Sequence, residues 1–430
     1  MAIAQVKQEA ALARLAAAPA PASTGGWLDE AREAARGRLQ EMGLPGRRDE
    51  YWRWTDPTPL NAPEPQQVAL PEGDGSFGLF EERDALRLVF TDGALDAGRS
   101  DALALEGIEI TPLAEAGATA GHWAEALFAT LESRAHQRVA RPHAALNAAL
   151  AGDGLVIRVT GRPERPLHIV HRREREASDV MLHHLIRLEP GAEMTLLETG
   201  APGARANIVI EAELGEGATL HHVRSLGREH ERRAITQLFA RLDAGAQLKT
   251  FTMSANGALT RNDYLVWLDG EGASAHIAGG AVGDGACHQD DTVFVSHEAA
   301  HCESRQVFKK VLREGATGIF QGKILVRPGA QKTDGYQIAQ GLLLDERAVF
   351  DSKPELEIHA DDVACSHGTT CGEIDPDQLF YLRARGIDAE TAEGLLVLAF
   401  LAQAVDEIAD EQLAAEVRAG FEGWLARHRR

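Results

Sequence analysis

The chain has 430 residues, of which 44% are hydrophobic and 25% charged, values ordinary for a soluble globular protein of two or three domains. Its formal net charge of −21 repels phosphate backbones and argues against nucleic acid and anionic membrane as partners. Four cysteines (Cys287, Cys302, Cys365, Cys371) make no disulfide framework, no N-terminal apolar segment reads as a signal peptide, and the longest apolar run, Leu395–Ala402, falls far short of the roughly 20 residues a bilayer needs, so the expected location is the cytoplasm.

Residues 1–150 read as a mainly helical region with a linker. The run WLDEAREAARGRLQEM has helical period and stops at Gly43 and Pro45. Three aromatics follow within four residues at Tyr51, Trp52 and Trp54, in a loop expected to fill a gap in the core. Residues 56–80 are rich in Pro and Gly and read as connection. Helical period returns over 122–150.

The texture changes over 151–370. Strands of alternating polarity appear, among them GLVIRVTG, PLHIVHR, MTLLETG and NIVIEAEL. A Gly-Ala dipeptide closes many of them and recurs at nearly even spacing, at Gly191, Gly217, Gly245 and Gly272. Ala299-Ala300 falls at the next expected place and Gly329-Ala330 follows, while half-period copies stand at Gly257, Gly285 and Gly315. A period near 27 with a weaker one near 13 predicts a flattened solenoid: two strands and two corners per rung, rungs stacked in parallel over a continuous apolar core. An evenly spaced β-sandwich is the competing architecture.

Residues 371–430 return to helical period. Asp375-Pro376 reads as an N-cap with Pro at the first helical position, Gly386 as a stop, and Asp388 as the next start. Such a module is placed to cap the last exposed edge of a solenoid.

The loudest motif is HEAAH, His297 to His301, which on a helix would put two zinc ligands on one face and a general base beside them. Its flanks have strand character, and on a strand positions i and i+4 stand about 13 Å apart, too far for one ion. A turn is expected there rather than a zinc hydrolase. The chain contains neither a GxxxxGK[ST] phosphate loop nor a GxSxG nucleophile elbow, and no enzymatic activity is expected of it. The remaining candidate is ACSHGTTCGEID. On a strand, Cys365 and His367 share one face with about 6.6–6.8 Å between Cα atoms, and thiolate with imidazole suits iron or zinc. Two donors are half a site.

The stretch from Gln321 to Ile387, with AQKTD, LLLD, SKPELEI, DDVACSHG and LFYLRARGI, closely resembles the SufB/SufD family of iron–sulfur cluster assembly proteins, and LPGRRDEYWRW resembles that family's N-terminal RRDE run, with Arg53 and Trp54 in its Lys-Tyr places. The resemblance implies a right-handed parallel β-helix between helical terminal regions. It implies a non-catalytic scaffold subunit that pairs with SufB through the last rungs and docks the SufC ATPase on its C-terminal helices, for which Leu379, Phe380, Tyr381 and Arg383 are the candidates. His367 and Cys365 would be this chain's half of an interface site, completed chiefly by a SufB cysteine, where an iron–sulfur cluster is assembled transiently; no cofactor would be held tightly by the chain alone. A SufB-like, cluster-carrying paralogue is the alternative within the family, and Cys371 stands where an apolar residue is expected.

Overall fold

The computed structural model describes residues 3–71, 78–136 and 139–427. Its centre is a parallel β-solenoid. Among the described residues, ten strands form one sheet and nine the other, and successive strands from Leu155–Val159 onward alternate between the two. Each pairs in parallel with the strand one rung on: Arg205 aligns with Arg233, and Arg233 with Leu259. The rungs lengthen toward the end, where His288 aligns with Thr317 and Thr317 with Val349. Strand alternation sets the filling. In Asp179–Leu188 the residues Val180, Leu182, Ile186 and Leu188 point into the lumen and join one continuous core with their counterparts on other rungs.

The corners explain the recurring dipeptide and correct its phase. Gly191, Gly217, Gly245 and Gly272 have φ between 64° and 71°, a backbone region open to glycine at little cost. Each donates its N–H to a carbonyl of the next rung's corner, as Gly245 does to Glu271. On the next rung this position is held by His301, with φ 59° and its N–H bonded to the Gln331 carbonyl, and then by Lys332, with φ 60°. The corner is therefore His301-Cys302 rather than Ala299-Ala300. The step from Ser274 to its partner Glu303 is two positions longer than the step from Gln247 to Ser274, and that added length moves the corner on.

Besides the two-residue strand Ala94–Leu95, which pairs antiparallel with the first of them, two further strands, Leu86–Thr91 and Ile108–Pro112, lie within the region read as helices and linker. The first pairs in parallel with Leu167–Arg172 and the second antiparallel with Leu155–Val159, so both sheets start there. Such short runs without the corner dipeptide leave no periodic mark in the sequence. The connection expected over 56–80 holds one short helix, Thr58–Asn61, and its residues 72–77 lie outside the described residues. Tyr51 and Trp52 are buried as expected, on the nine-stranded sheet: the Arg261 guanidinium stacks 4.1 Å from the Trp52 ring, and the Tyr51 hydroxyl donates to Glu355 at 2.8 Å.

The terminal helices cover the outer faces. Trp27–Met42 ends at Gly43 as read, and with Pro142–Leu150 it belongs to an apolar layer against Val209, Phe239 and Leu265 of the nine-stranded sheet. The C-terminal helices Ala389–Val405 and Glu411–Arg427 lay Val397, Leu401, Phe421 and Trp424 against Phe251, Met253 and Val307 of the ten-stranded sheet. The C-terminal module thus covers a face and leaves the last rung's edge open, contrary to the capping role expected from its place in the chain. Its apolar side chains match the broad apolar outer face of the sheet, which buries far more surface than a rung edge. Among the described residues no helix is long and apolar enough to cross a membrane.

Candidate functional site at the open end of the solenoid

The last rung consists of strands Val349–Ile358 and Ala364–Gly372. Each ends its sheet and is paired on one side only, and neither contains a buried residue. Their free sides present backbone N–H and C=O groups along two adjacent strands, a template for strands of another chain. Pro354 fits this setting, because a proline is tolerated on an edge strand.

Register places the candidate residues. Cys365, His367, Thr369 and Cys371 stand over Gly335, Gln337, Ala339 and Gly341 of the preceding rung. Gln337 and Ala339 are fully buried and line the lumen, so Cys365, His367 and Cys371 form its inward row at the open mouth. Cys365 leans over Gly335, where a Cβ would stand 3.2 Å from Sγ, and joins the small apolar cluster of Ile324, Leu356 and Ala360. Cys371 stands over Gly341, where a Cβ would meet the Phe350 ring at 2.6 Å. Burial raises the pKa of the Cys365 thiol, and Asp334 adds to it; burial and then Asp351 do the same for Cys371. Both thiols are held in the protonated form, so a metal ion must displace a proton to bind. The His367 imidazole is exposed and makes no hydrogen bond or ion pair among the described residues.

Two polar groups beneath this row escape sequence reasoning. Gln337 donates Nε2 to Gln306 at 2.7 Å and leaves Oε1 buried without a partner, and Ser352 Oγ on the facing strand is likewise buried and unpartnered. One rung back from His367 lies Gln337, but the position can be found only once the local rung length is known.

Among the described residues no three His, Cys, Asp or Glu side chains converge on a common point. Cys365 and His367 are soft and borderline donors suited to iron, and two such donors leave half of a tetrahedral sphere to be filled from outside the chain. Beyond the rung, Asp375 caps helix Pro376–Arg383 by accepting from the Asp377 N–H at 2.9 Å. The helix buries no residue: Phe380 is 73% exposed and Tyr381 55%, Leu379 is half-buried and Arg383 exposed. Two adjacent aromatics thus stand in water, where burial in this chain does not require them.

The HEAAH histidines diverge. His297 ends strand His288–His297 with its ring buried and Nε2 2.8 Å from Ser304 Oγ; burial pushes its pKa down to about 4. His301 sits on the corner, 60% exposed and 4.0 Å from Glu271. The segment is a turn between strands. Two buried histidines of the closed rungs are structural as well: His183 lies between Asn147 and Glu211, each at 3.0 Å, and His222 between Thr250 and Glu198 at 3.0 and 3.2 Å.

Comparison with known proteins identifies the family. Residues 171–400 match the family model described as SUF system FeS cluster assembly, SufBD core domain. The iron–sulfur cluster assembly protein SufD of Escherichia coli is 31% identical over 406 residues, covering 89% of each chain. An iron–sulfur cluster assembly SufBD family protein of Synechocystis is 27% identical over 412 residues, 90% of this chain and 89% of its own. SufD of Bacillus subtilis is 29% identical over 277 residues, 61% of this chain and 62% of its own. The SufD branch is also the one that overall length and the Cys-Ser-His-Gly run favour. With a solenoid of the expected kind, a matching core and a relative of this identity along nearly its whole length, the chain belongs to the SufB/SufD family of iron–sulfur cluster assembly proteins.

Proposed function

We propose that this protein is a non-catalytic scaffold subunit of the cytoplasmic SUF machinery. Its last rung pairs with a SufB-type subunit, and His367 and Cys365 provide this side's donors to a nascent iron–sulfur cluster that is cargo rather than a resident cofactor. The open rung carries the reading: two edge strands, each paired on one side only, whose inward row holds a thiol and an imidazole with no partner among the described residues. Continuing both sheets across the edge would satisfy the free backbone groups, seal the lumen and bring a partner's ligands over His367. We further propose that Leu379, Phe380, Tyr381 and Arg383 dock the SufC ATPase. The exposed aromatics support this.

Deleting 376–430 would strip Phe421 and Trp424 from the sheet face, so point variants are the sound test. His367→Ala, co-expressed with the SufB-type subunit and SufC, is expected to form the complex normally on size exclusion and to lose the visible absorbance of the reconstituted cluster. Phe380→Ala with Tyr381→Ala is expected to lose SufC and keep the SufB-type partner. A wild-type chain that never co-purifies with either partner, or a His367→Ala complex that builds cluster at the wild-type level, would refute the reading.

A further inference from the structure

At the opposite end of the solenoid the outer face of the ten-stranded sheet holds a cavity of about 350 Å³. Its floor comes from three neighbouring strands. His168 stands in register with Arg87, and Val170 with Val89, while Thr199 comes from the next strand, in register with Val170. Arg87, Arg99 and Arg172 line it, with Glu81 also contributing. This is an unexpected concentration of cations in a chain of net charge −21.

The pairing state of these arginines is what distinguishes the cavity. Nearby arginines outside it all have carboxylate partners: Arg165 with Asp84 at 3.0 Å, Arg173 with Glu229 at 2.6 Å, Arg175 with Asp92 at 3.2 Å. Arg99 is paired too, with Asp96 and Glu174. Arg87 and Arg172 have no carboxylate within ion-pair distance among the described residues. Arg87 spends Nη2 on the backbone carbonyls of Phe80, Glu81 and Arg83, which hold the guanidinium in place without neutralising it. Beside Arg87, His168 is 1% exposed; its Nε2 lies 2.8 Å from the Thr199 hydroxyl, and its Nδ1 is buried with no partner among the described residues. Burial, and Arg87 after it, push its pKa down to about 4, so the ring is neutral at pH 7 and adds no charge to that of the arginines. Arg87 and Arg172 therefore bring two guanidiniums without carboxylate partners to one cavity, and an anion with several acceptor oxygens neutralises them.

We propose that this cavity is an oxyanion-binding site, accepting a phosphate or carboxylate group of a small molecule through Arg87 and Arg172. The site lies at the opposite end of the ten-stranded sheet from Cys365 and His367.

The test is calorimetric titration of the full chain with inorganic phosphate and, separately, with acetate. Saturable binding of either supports the site, and the two arms tell which kind of oxyanion it prefers. Arg172 is half-buried and free of ion pairs, so Arg172→Ala should melt like the wild type and weaken binding about tenfold or more, the loss expected for one charge-assisted contact. Arg175→Ala, which removes the same charge outside the cavity, should change affinity less than about twofold. No saturable binding of either anion, or equal weakening by both variants, would overturn the proposal. Arg172→Glu should abolish binding while the chain stays folded, and binding retained by that variant would overturn it as well.

Discussion

The closed rungs and the last rung are built from one repeat, and they differ in what lies beyond them. His222 and His367 both occupy inward positions of the ten-stranded sheet. His222 is sealed between Glu198 and Thr250, and burial pushes its pKa down. His367 has the same strand geometry and a neighbour beneath it, Gln337, but no rung above, and it keeps an exposed ring. The same contrast holds for the aromatics. Phe308 is 1% exposed and contacts Phe320 at 5.0 Å between ring centroids, whereas Phe350 on the last rung is only half-buried. A side chain in a closed rung is committed to stability, and its counterpart on the last rung remains available to a partner.

Five substitutions at three kinds of position test how sharp that division is. The largest effect is expected at the aromatics: Phe308→Ala should cost about 3–5 kcal/mol in urea unfolding, and Phe350→Ala under about half of that, because much of its surface is already in water. Equal losses would mean that the last rung is packed like the others. The histidines follow. His222→Ala leaves Glu198 buried without its imidazole and should cost about 1–3 kcal/mol, whereas His367→Ala should stay within about 0.5 kcal/mol of wild type. A His367→Ala chain that melts as early as His222→Ala would place His367 among the structural residues and remove it from the site. The smallest effect is at the corner. Gly191 and Gly245 adopt the left-handed backbone freely, while His301 adopts it at a penalty, so His301→Gly should raise stability by about 0.5–1 kcal/mol. A destabilised variant would show that the His301 ring contributes contacts that outweigh its backbone strain.

Much of the site was legible in the sequence because strand alternation is a local rule. Cys365 and His367 share a face wherever a strand runs through them, and the structure places a strand there. Asp375, Gly386 and Asp388 marked their helix boundaries for equally local reasons, since capping depends on a few neighbouring backbone groups. Gln337 and Ser352 were not legible. Their relation to His367 depends on the length of one particular rung, and rung length drifts: the step from Arg233 to Leu259 is clearly shorter than the step from Thr317 to Val349.

The sequence by itself determined the repeat, its corners up to Gly272, the alternation that puts Cys365 and His367 on one face, and the family resemblance, because each rests on spacing within one or two rungs. Only the tertiary structure decided that the corner moves to His301, that strands within 86–112 start both sheets, and that the C-terminal helices lie on a sheet face and leave the last edge open. The unpaired Arg87 and Arg172 belong to the same class. These features depend on which surfaces meet across long separations in the chain, and apolar area and charge compensation select among placements that local pattern leaves equal.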